Sequence, residues 1–336
     1  MLILSFKEIK NHLTFEKALY WTKEFFKIKK GEQIIEPERI ILSYNNVYNY
    51  TGIALLDIEK QKIIGYKLLS FNQKFRRNLN FSAIRSVISL FDHNTHKCLG
   101  IMDGRYILYC RTVSSLAILL DFFKRNYKGN FIPEIPEIGI IGTGQMLYFT
   151  LGFLSILFPD SKYYVYSPRA YKGSKERIKW IEHLARLNGL KVYIVSKEKI
   201  IEKDIVIVET NEIEHCVINE LRGNVKIIAG IGSIAKNYIG EISPEIYRKA
   251  KFVFFDDISK VLSEHGGLSK LKSQIKPYKL EDLENFSSVL SPSEYIVYRS
   301  VGLTGIDVYF AYKLLQTVGI GNDECELDKF KIIDYF

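Results

Sequence analysis

The feature that most constrains the fold is a short apolar run that ends in two glycines and continues directly into an apolar helical pattern. This segment, IPEIGIIGTGQMLYF, covers residues 135–149. A strand that passes into a helix through Gly142 and Gly144 allows backbone N–H groups at the helix N-terminus to approach a phosphate. The segment therefore predicts a dinucleotide-binding turn, with an ordinary strand-to-helix turn as the alternative.

Strand and helix patterns alternate after this turn. Near-continuous apolar strands joined by helices are typical of a parallel sheet that is covered on both faces. The predicted strands are 138–142, 162–167, 191–196, 204–210, 225–232 and 251–257. This part of the chain therefore predicts an α/β fold of the doubly wound, Rossmann type.

Residues 1–125 show a mixed pattern. Segment 13–32 has apolar residues at helical spacing and ends near Gly31, which predicts a helix. Short β-rich runs follow as far as residue 110, and a second helix is predicted from residue 112. These features indicate an α+β domain, joined to the parallel sheet by the proline-containing segment 130–137.

The charge of the chain favours anionic small molecules over nucleic acid. The sequence has 336 residues and a formal net charge of +9, with 47 Lys and Arg residues against 38 acidic residues. The basic residues are dispersed among the acidic ones, whereas nucleic-acid binding typically needs a basic cluster. The excess charge fits attraction of a polyanionic cofactor or a carboxylate substrate.

Cysteine spacing and hydropathy predict an intracellular protein without a metal site. The four cysteines show no CxxC pattern, which argues against both a zinc site and a disulfide framework. His215 and Cys216 lack further ligands at metal spacing, and Asp256 with Asp257 would form a metal pair only if more acids converge. No run approaches the ~18–20 apolar residues of a membrane span, so we expect a soluble, cytoplasmic chain without a membrane partner.

The second predicted strand gives a preference between cofactors. Dinucleotide folds that bind NAD usually carry an acid at this strand end, but this chain has Ser167 and Arg169 there, followed by Lys172 and Lys175. Because a guanidinium pairs well with a phosphate dianion, NADP(H) is favoured over NAD(H), with a solvated basic turn as the alternative. Leu147 stands where a third glycine or alanine is usual.

Several separated stretches together resemble the ornithine cyclodeaminase/mu-crystallin family, and they cover nearly the whole chain. They are PERIIL (37–42), GYKLLSF (65–71), SLFDHNTHKCLGIMDG (89–104), YCRTVSS (109–115), IGIIGTG (138–144), DIVIVETNE (204–212), IGEISPEIYRKAKFVFFDD (239–257) and YRSVG (298–302). The resemblance implies a homodimer in which a Rossmann-type domain (126–304) is inserted in a discontinuous α+β substrate-binding and dimerisation domain (1–125 plus 305–336).

The resemblance also assigns roles to particular residues. It implies that Arg39 and Arg111 bind a substrate carboxylate and that Lys67 is the active-site lysine. These are suitable residue types, since guanidiniums bind carboxylates in a planar fashion and a lysine between them can have a lowered pKa. Without the family pattern, all three could instead be ordinary surface cations. The expected cofactor-binding residues are Thr112, Gly142, Thr143, Gly144, Gln145, Met146, Ser167, Arg169, Thr210, Asn211, Gly232, Ser233, Val301, Gly302 and Asp307.

One departure from the family pattern separates the possible activities. Ile234 aligns where cyclodeaminases have an aspartate that serves deamination and ring closure, and an aliphatic side chain cannot move protons. The chain is therefore more similar to the ketimine reductase and amino-carboxyethyl-glutamate dehydrogenase branches. We expect an NAD(P)H-dependent oxidoreductase that acts on the C=N or CH–NH bond of a carboxylate-bearing amino or imino acid. The alternatives are a catalytically silent NADPH-binding protein and an ornithine cyclodeaminase.

Overall fold

The chain forms two sheets joined by a shared hydrophobic core. The computed structural model describes residues 2–45, 47–58, 61–72, 83–210, 215–232, 240–264 and 266–319. Within these residues, a seven-stranded mixed sheet precedes an eight-stranded parallel sheet. The larger hydrophobic core draws side chains from both sheets and from the helices between them.

The first sheet is built from the N-terminal part of the chain. Its elements are β1 (Leu2–Leu4), α1 (Phe6–His12), α2 (Phe15–Lys30), β2 (Ile34–Ile35), β3 (Ile40–Tyr44), β4 (Val47–Ile58), β5 (Gln61–Asn72), β6 (Ile84–Asp92), β7 (Cys98–Asp103) and α3 (Gly104–Tyr127). The strand order is β1-β7-β6-β5-β4-β2, with β3 also paired to β4. The β1–β7 pair is parallel and the other pairs are antiparallel.

The predicted helix at 13–32 is confirmed as α2, but the second predicted helix begins earlier than expected. Helix α3 starts at Gly104 rather than at residue 112, because the Asp103 side chain caps it by accepting a 2.8 Å hydrogen bond from the Arg105 N–H. The β-rich prediction for residues 104–110 is therefore wrong. An apolar run buried on all sides does not show a helical period, so strand and helix cannot be told apart there from sequence.

Helix α3 is long and apolar enough to cross a membrane by length and composition alone. In this fold, 89% of its most apolar window is buried inside the protein. Its apolar character is therefore that of a core helix, which packs against α2, α4 and α11.

The rest of the chain forms the second sheet, the helices around it and a last helix that packs on the first sheet. Its elements are β8 (Ile138–Ile141), α4 (Met146–Leu157), β9 (Lys162–Tyr166), α5 (Pro168–Tyr171), α6 (Lys175–Leu187), β10 (Lys191–Ile194), α7 (Lys197–Ile200), β11 (Ile205–Val208), β12 (Ile227–Gly230), α8 (Pro244–Lys249), β13 (Phe252–Phe255), α9 (Ile258–Glu264), α10 (Gly266–Ser269), β14 (Pro277–Lys279), β15 (Ile296–Arg299) and α11 (Thr304–Val318). The strands run in the order β10-β9-β8-β11-β12-β15-β13-β14, and every pair is parallel. The predicted doubly wound parallel sheet is confirmed.

Two strands of this sheet were not predicted. Strand β14 is three residues long, and β15 lies between β12 and β13 in the interior of the sheet. Strand β15 ends in Arg299, a residue type that sequence patterns assign to the surface. Here Arg299 is completely buried, because its Nη1 lies 2.9 Å from Glu241 Oε2.

The last helix returns to the first sheet. Helix α11 packs on β4, β5 and β6, and glycines permit this close approach. A Cβ added at Gly52 would lie 2.1 Å from Thr304 Oγ1, and one at Gly65 would lie 2.4 Å from Val308 Cγ1. The start of α11 therefore lies directly over the face of β5 that carries Lys67.

Candidate functional site

The turn after β8 has the shape needed to receive a phosphate. Gly142 has φ +131°, and an added Cβ would lie 2.7 Å from the Glu209 carbonyl oxygen, so only glycine fits there. Gly144 is exposed, and no described atom lies within 4 Å of the position its Cβ would take. Gln145 precedes α4, and no described side chain caps that helix. These features leave a helix N-terminus open to an anion.

The residue after the first glycine contacts the end of β9. Thr143 Oγ1 donates a 3.0 Å hydrogen bond to Ser167 Oγ, and Arg177 Nη1 donates a 2.6 Å bond to the Thr143 carbonyl oxygen. Burial, and then the charge of nearby Arg169, lower the pKa of Arg177. Two guanidiniums therefore lie near the second strand end. Arg177 was not predicted, because its place at the start of α6 carries no motif.

A buried ionic cluster lies between β5, α3 and α11. Lys67 Nζ is 2.5 Å from Asp307 Oδ2, and Arg111 Nε is 3.1 Å from Asp307 Oδ1. Lys67 is 7% exposed, Arg111 4% and Asp307 1%. One carboxylate thus bridges two buried cations.

Arg39 joins the same cluster through the loop after β15. Its Nη2 donates a 3.1 Å hydrogen bond to the Val301 carbonyl oxygen. Gly302 has φ +80°, and a Cβ there would lie 3.4 Å from Arg111 Nη2 and 3.5 Å from Arg39 Nη1. The two guanidiniums therefore approach the same point, and the positive φ of Gly302 is a backbone conformation that favours glycine there.

Burial and the neighbouring charges change the pKa of Lys67. Burial lowers the pKa of Lys67 to about 8; the carboxylate of Asp307 opposes this shift, while the charges of Arg111 and Arg39 add to it. Asp307 contacts both Lys67 and Arg111, and the charge of Arg39 also acts on Lys67, so an added carboxylate would be attracted to this group of cations. A lysine that titrates near neutral pH is also suited to proton transfer.

Asp256 organises the loop that both arginines contact. Its carboxylate accepts hydrogen bonds from Ser300 Oγ at 2.8 Å, Val301 N at 2.8 Å and Gly302 N at 3.1 Å. The adjacent Asp257 instead pairs with Lys29 at 3.2 Å. The two aspartates therefore serve different partners, and no group of three potential metal ligands occurs among the described residues.

Glu241 ties together the ends of β11 and β12. It is fully buried and accepts hydrogen bonds from Thr210 N at 2.5 Å, Thr210 Oγ1 at 2.7 Å and Gly232 N at 3.0 Å, besides its ion pair with Arg299. Burial raises its pKa. A Cβ at Gly232 would lie 2.0 Å from the Thr210 carbonyl oxygen, so the two strand ends are in backbone contact.

Two further buried polar groups could not be predicted from the sequence. Glu209, below Gly142, is 6% exposed, and its Oε2 accepts a 2.5 Å hydrogen bond from Thr150 Oγ1. Its Oε1 has no hydrogen-bond partner among the described residues, and burial raises its pKa well above the usual value. Ser86 Oγ, on the Lys67 face of the sheet, is likewise buried without a described partner. Neither residue type is distinctive in a strand pattern.

The structure describes the positions of some of the remaining residues singled out in the sequence. Thr112 Oγ1 donates to the Leu108 carbonyl oxygen within α3, so its hydroxyl is bonded within the helix. Met146 is half-buried, and Leu147 is fully buried in the main core. Asn211, Ser233 and Ile234 lie outside the described residues.

The fold and the candidate site together define a class of protein. It combines a Rossmann-type parallel sheet, with a glycine turn before an uncapped helix, and a mixed sheet that carries a buried cluster of charged side chains. The chain belongs to the ornithine cyclodeaminase/mu-crystallin family, whose family model matches residues 1–317. A search of curated proteins finds no match.

Solved structures share this fold over nearly the whole chain. Δ1-pyrroline-2-carboxylate reductase from Thermococcus litoralis, in complex with NADH and L-proline, has a TM-score of 0.81 at 20% identity and covers 95% of this chain and 97% of its own. A probable ornithine cyclodeaminase from Bordetella pertussis Tohama I has a TM-score of 0.77 at 19% identity, with 95% and 97% covered. The iminosuccinate reductase of Paracoccus denitrificans, in complex with NAD+, has a TM-score of 0.74 at 16% identity, with 95% and 96% covered.

Proposed function

We propose that this protein is an NAD(P)H-dependent oxidoreductase that reduces the C=N bond of a carboxylate-bearing imino acid, or oxidises the corresponding amine. The observation that carries the proposal is the Lys67–Asp307–Arg111 cluster, with Arg39 close to Arg111. A titratable ammonium beside two guanidiniums would suit a carboxylate-bearing substrate. Reductases of imino acids are among the proteins that share the fold.

The turn at Gly142 and Gly144 supports the cofactor part of this proposal. The missing Cβ groups and the uncapped start of α4 leave room and backbone amides for a pyrophosphate. The fold relatives named above hold NADH or NAD+. When bound, a reduced nicotinamide would supply hydride to the imine carbon.

The chain's own residues would bind the substrate and manage the proton. Arg39 and Arg111 would hold the carboxylate, which fixes the adjacent C=N bond in the cleft. Lys67, as an ammonium, would donate its proton to the substrate nitrogen while the carbon accepts hydride. Asp307 would orient the Lys67 ammonium and keep part of its charge balanced after substrate arrives.

Arg169 and Arg177 support a preference for NADP(H). Arg177 contacts the Thr143 carbonyl, next to the Thr143–Ser167 hydrogen bond, and its charge interacts with that of Arg169, two residues after Ser167. The ribose hydroxyls of a dinucleotide are usually bound at this strand end. A 2′-phosphate at this position would be attracted by two positive charges. The acidic residue that NAD-binding folds usually carry there would instead repel it.

The outer face of the first sheet supports a homodimer. Helices α3 and α11 cover one face, while Tyr66, Leu68 and Val87 on the other face are 36%, 56% and 45% exposed. On the neighbouring edge strand β3, Ile40 and Leu42 are 67% and 66% exposed. Exposed apolar side chains gathered on one face of a sheet are typical of a protein interface, and a second copy would pair the same strands by twofold symmetry.

The catalytic proposal is tested by titrating the purified protein with NADPH and NADH, followed by absorbance assays with cyclic imino acids such as Δ1-pyrroline-2-carboxylate. We expect nucleotide binding and consumption of the reduced nicotinamide. Tight nucleotide binding without turnover on any imine would instead support a binding protein. Release of ammonia from ornithine would support a cyclodeaminase.

A further inference from the structure

A buried carboxylate outside the proposed substrate contacts holds the start of α11. Glu36, between β2 and β3, accepts a hydrogen bond from Thr304 N at 2.5 Å and another from Gly305 N at 2.9 Å. Its side chain is only 8% exposed. A carboxylate at this position satisfies two backbone donors that the helix itself leaves without partners.

Glu36 provides the N-terminal cap of α11, which the residue next to the helix does not provide. Leu303, the residue before α11, has no polar side chain and makes no capping hydrogen bond. Because the helix N-terminus carries partial positive charge, the Glu36 carboxylate stabilises it by charge as well as by hydrogen bonding. Asp307 lies in the first turn of the same helix, so its position depends on where this end is fixed.

A helix that follows a strand of the parallel sheet also contacts the Glu36 carboxylate. Lys260 on α9 forms an ion pair with Glu36 Oε1, and its side chain is 6% exposed. Four residues earlier, Asp256 holds the loop of residues 300–302 through two backbone N–H groups. The segment after β13 therefore anchors both sides of the ionic cluster.

Glu36 also lies in the segment that carries Arg39, three residues further on. Arg39 reaches the Val301 carbonyl oxygen, and the Gly302 position lies close to Arg111. One side chain thus connects the substrate arginine, the helix of Asp307 and the parallel sheet.

We propose that Glu36, held by Lys260, is a positioning residue that sets the contact of Asp307 with Lys67 and Arg111. Its effect on catalysis rests on the function proposed above. Its effect on the cluster does not, since it concerns only the placement of α11.

A measurement of the Lys67 pKa tests the placement of α11 and needs no enzymatic activity. The charged groups that face Lys67 are Asp307 from α11, Arg111 from α3 and Arg39 from the segment before β3. Asp307 is the group among them that raises the pKa of Lys67, so a poorly placed α11 would let this pKa fall. The measurement is ¹³C NMR of protein labelled with [6-¹³C]lysine, with the Lys67 signal assigned by Lys67→Arg.

Two variants separate positioning from simple charge effects. Glu36→Gln removes a negative charge, and Lys260→Met removes a positive one, so through-space effects on the Lys67 pKa would have opposite signs. Positioning predicts that both variants move the Lys67 titration to lower pH. Shifts of opposite sign, or no shift in either variant, would overturn the proposal. The matched controls are Glu38→Gln and Lys270→Met, two exposed positions that should titrate like the wild type.

A third comparison asks whether Glu36 acts through Asp307. In an Asp307→Asn background, Glu36→Gln should move the Lys67 titration much less than it does in the wild type, because the contact is already lost and only the through-space effect of the Glu36 charge remains. A further shift of the same size would contradict this route. If the wild type reduces imines, Glu36→Gln should also lower kcat on the order of tenfold while nucleotide affinity stays unchanged. Failure of imine reduction in the wild type would count against the proposed function, while the NMR result would stand by itself.

Discussion

Lys67 and Asp307 are 240 positions apart in sequence, yet Lys67 Nζ and Asp307 Oδ2 are 2.5 Å apart in the fold. The contact exists because α11 returns to the first sheet and lies over Gly52, the residue paired with Lys67 across β4 and β5. A larger residue at position 52 would push Thr304 away. The ionic cluster is therefore a product of the chain's return to its first sheet.

Replacing Arg39 should weaken substrate binding more than it slows the chemical step. Arg39→Gln removes one charge-assisted contact to the substrate carboxylate, worth about 1.5–3 kcal/mol. We expect KM for the imino acid to rise roughly 10- to 100-fold, with kcat changed much less. Steady-state kinetics check this, with the exposed Arg186→Gln as control. An unchanged KM in Arg39→Gln would remove Arg39 from the substrate site.

Replacing Arg169 should affect the two cofactors differently. Arg169→Ala should weaken NADPH binding roughly tenfold, because a charge-assisted contact to the 2′-phosphate is lost. NADH affinity should stay within about twofold, since NADH lacks that phosphate. Fluorescence titration at low and high salt measures both, and the NADPH preference should shrink as salt screens the exposed guanidinium. Equal losses for both nucleotides would contradict a role in cofactor selection.

Glu209 should make the protein less stable as the pH rises. Its folded-state pKa is raised by burial above the usual value of 4.5, so the folded protein holds this proton more tightly than the unfolded chain does. Its stabilising contribution is therefore complete below that usual value and is lost as the pH rises through the folded-state pKa. Glu209→Gln mimics the protonated form, so its Tm should exceed that of the wild type at alkaline pH and converge with it in acid. Thermal unfolding across pH measures the difference, and a constant gap would show that Glu209 does not titrate as described.

The exposed face of the first sheet should determine the oligomeric state. Leu68→Glu places a charge in the middle of the proposed interface and should convert a dimer into a monomer. Val289→Glu, at a position 87% exposed, is the matched control and should leave the dimer intact. Sedimentation velocity distinguishes the two states. A wild-type protein that sediments as a monomer would refute the proposed dimer.

The parallel sheet could be predicted from sequence because its strands are apolar runs bounded by turns. Two strands escaped prediction for local reasons: β14 is very short, and β15 ends in an arginine that is buried only because Glu241 neutralises it. Helix α3 was predicted to start too late, because burial on all sides removes the helical period from residues 106–110.

The residues of the candidate site were harder to predict from sequence than the fold. Lys67, Arg39, Arg111 and Asp307 came from the family pattern, because no local spacing connects residues so far apart. Arg177, Glu209 and Glu36 were missed. Their importance depends on tertiary contacts with the Thr143 carbonyl, with Thr150 and with the start of α11, which no sequence motif records.

The pH dependence of imine reduction by the wild type and by Lys67→Met tests the central claim most directly. Lys67 must be protonated to donate, and its pKa in the free protein is about 8, so wild-type kcat/KM should fall as the pH rises above that value. Lys67→Met should lose on the order of 100-fold or more in kcat, lack this alkaline limb and still bind the nucleotide. A Lys67→Met variant that keeps wild-type turnover and the same pH profile would contradict the account.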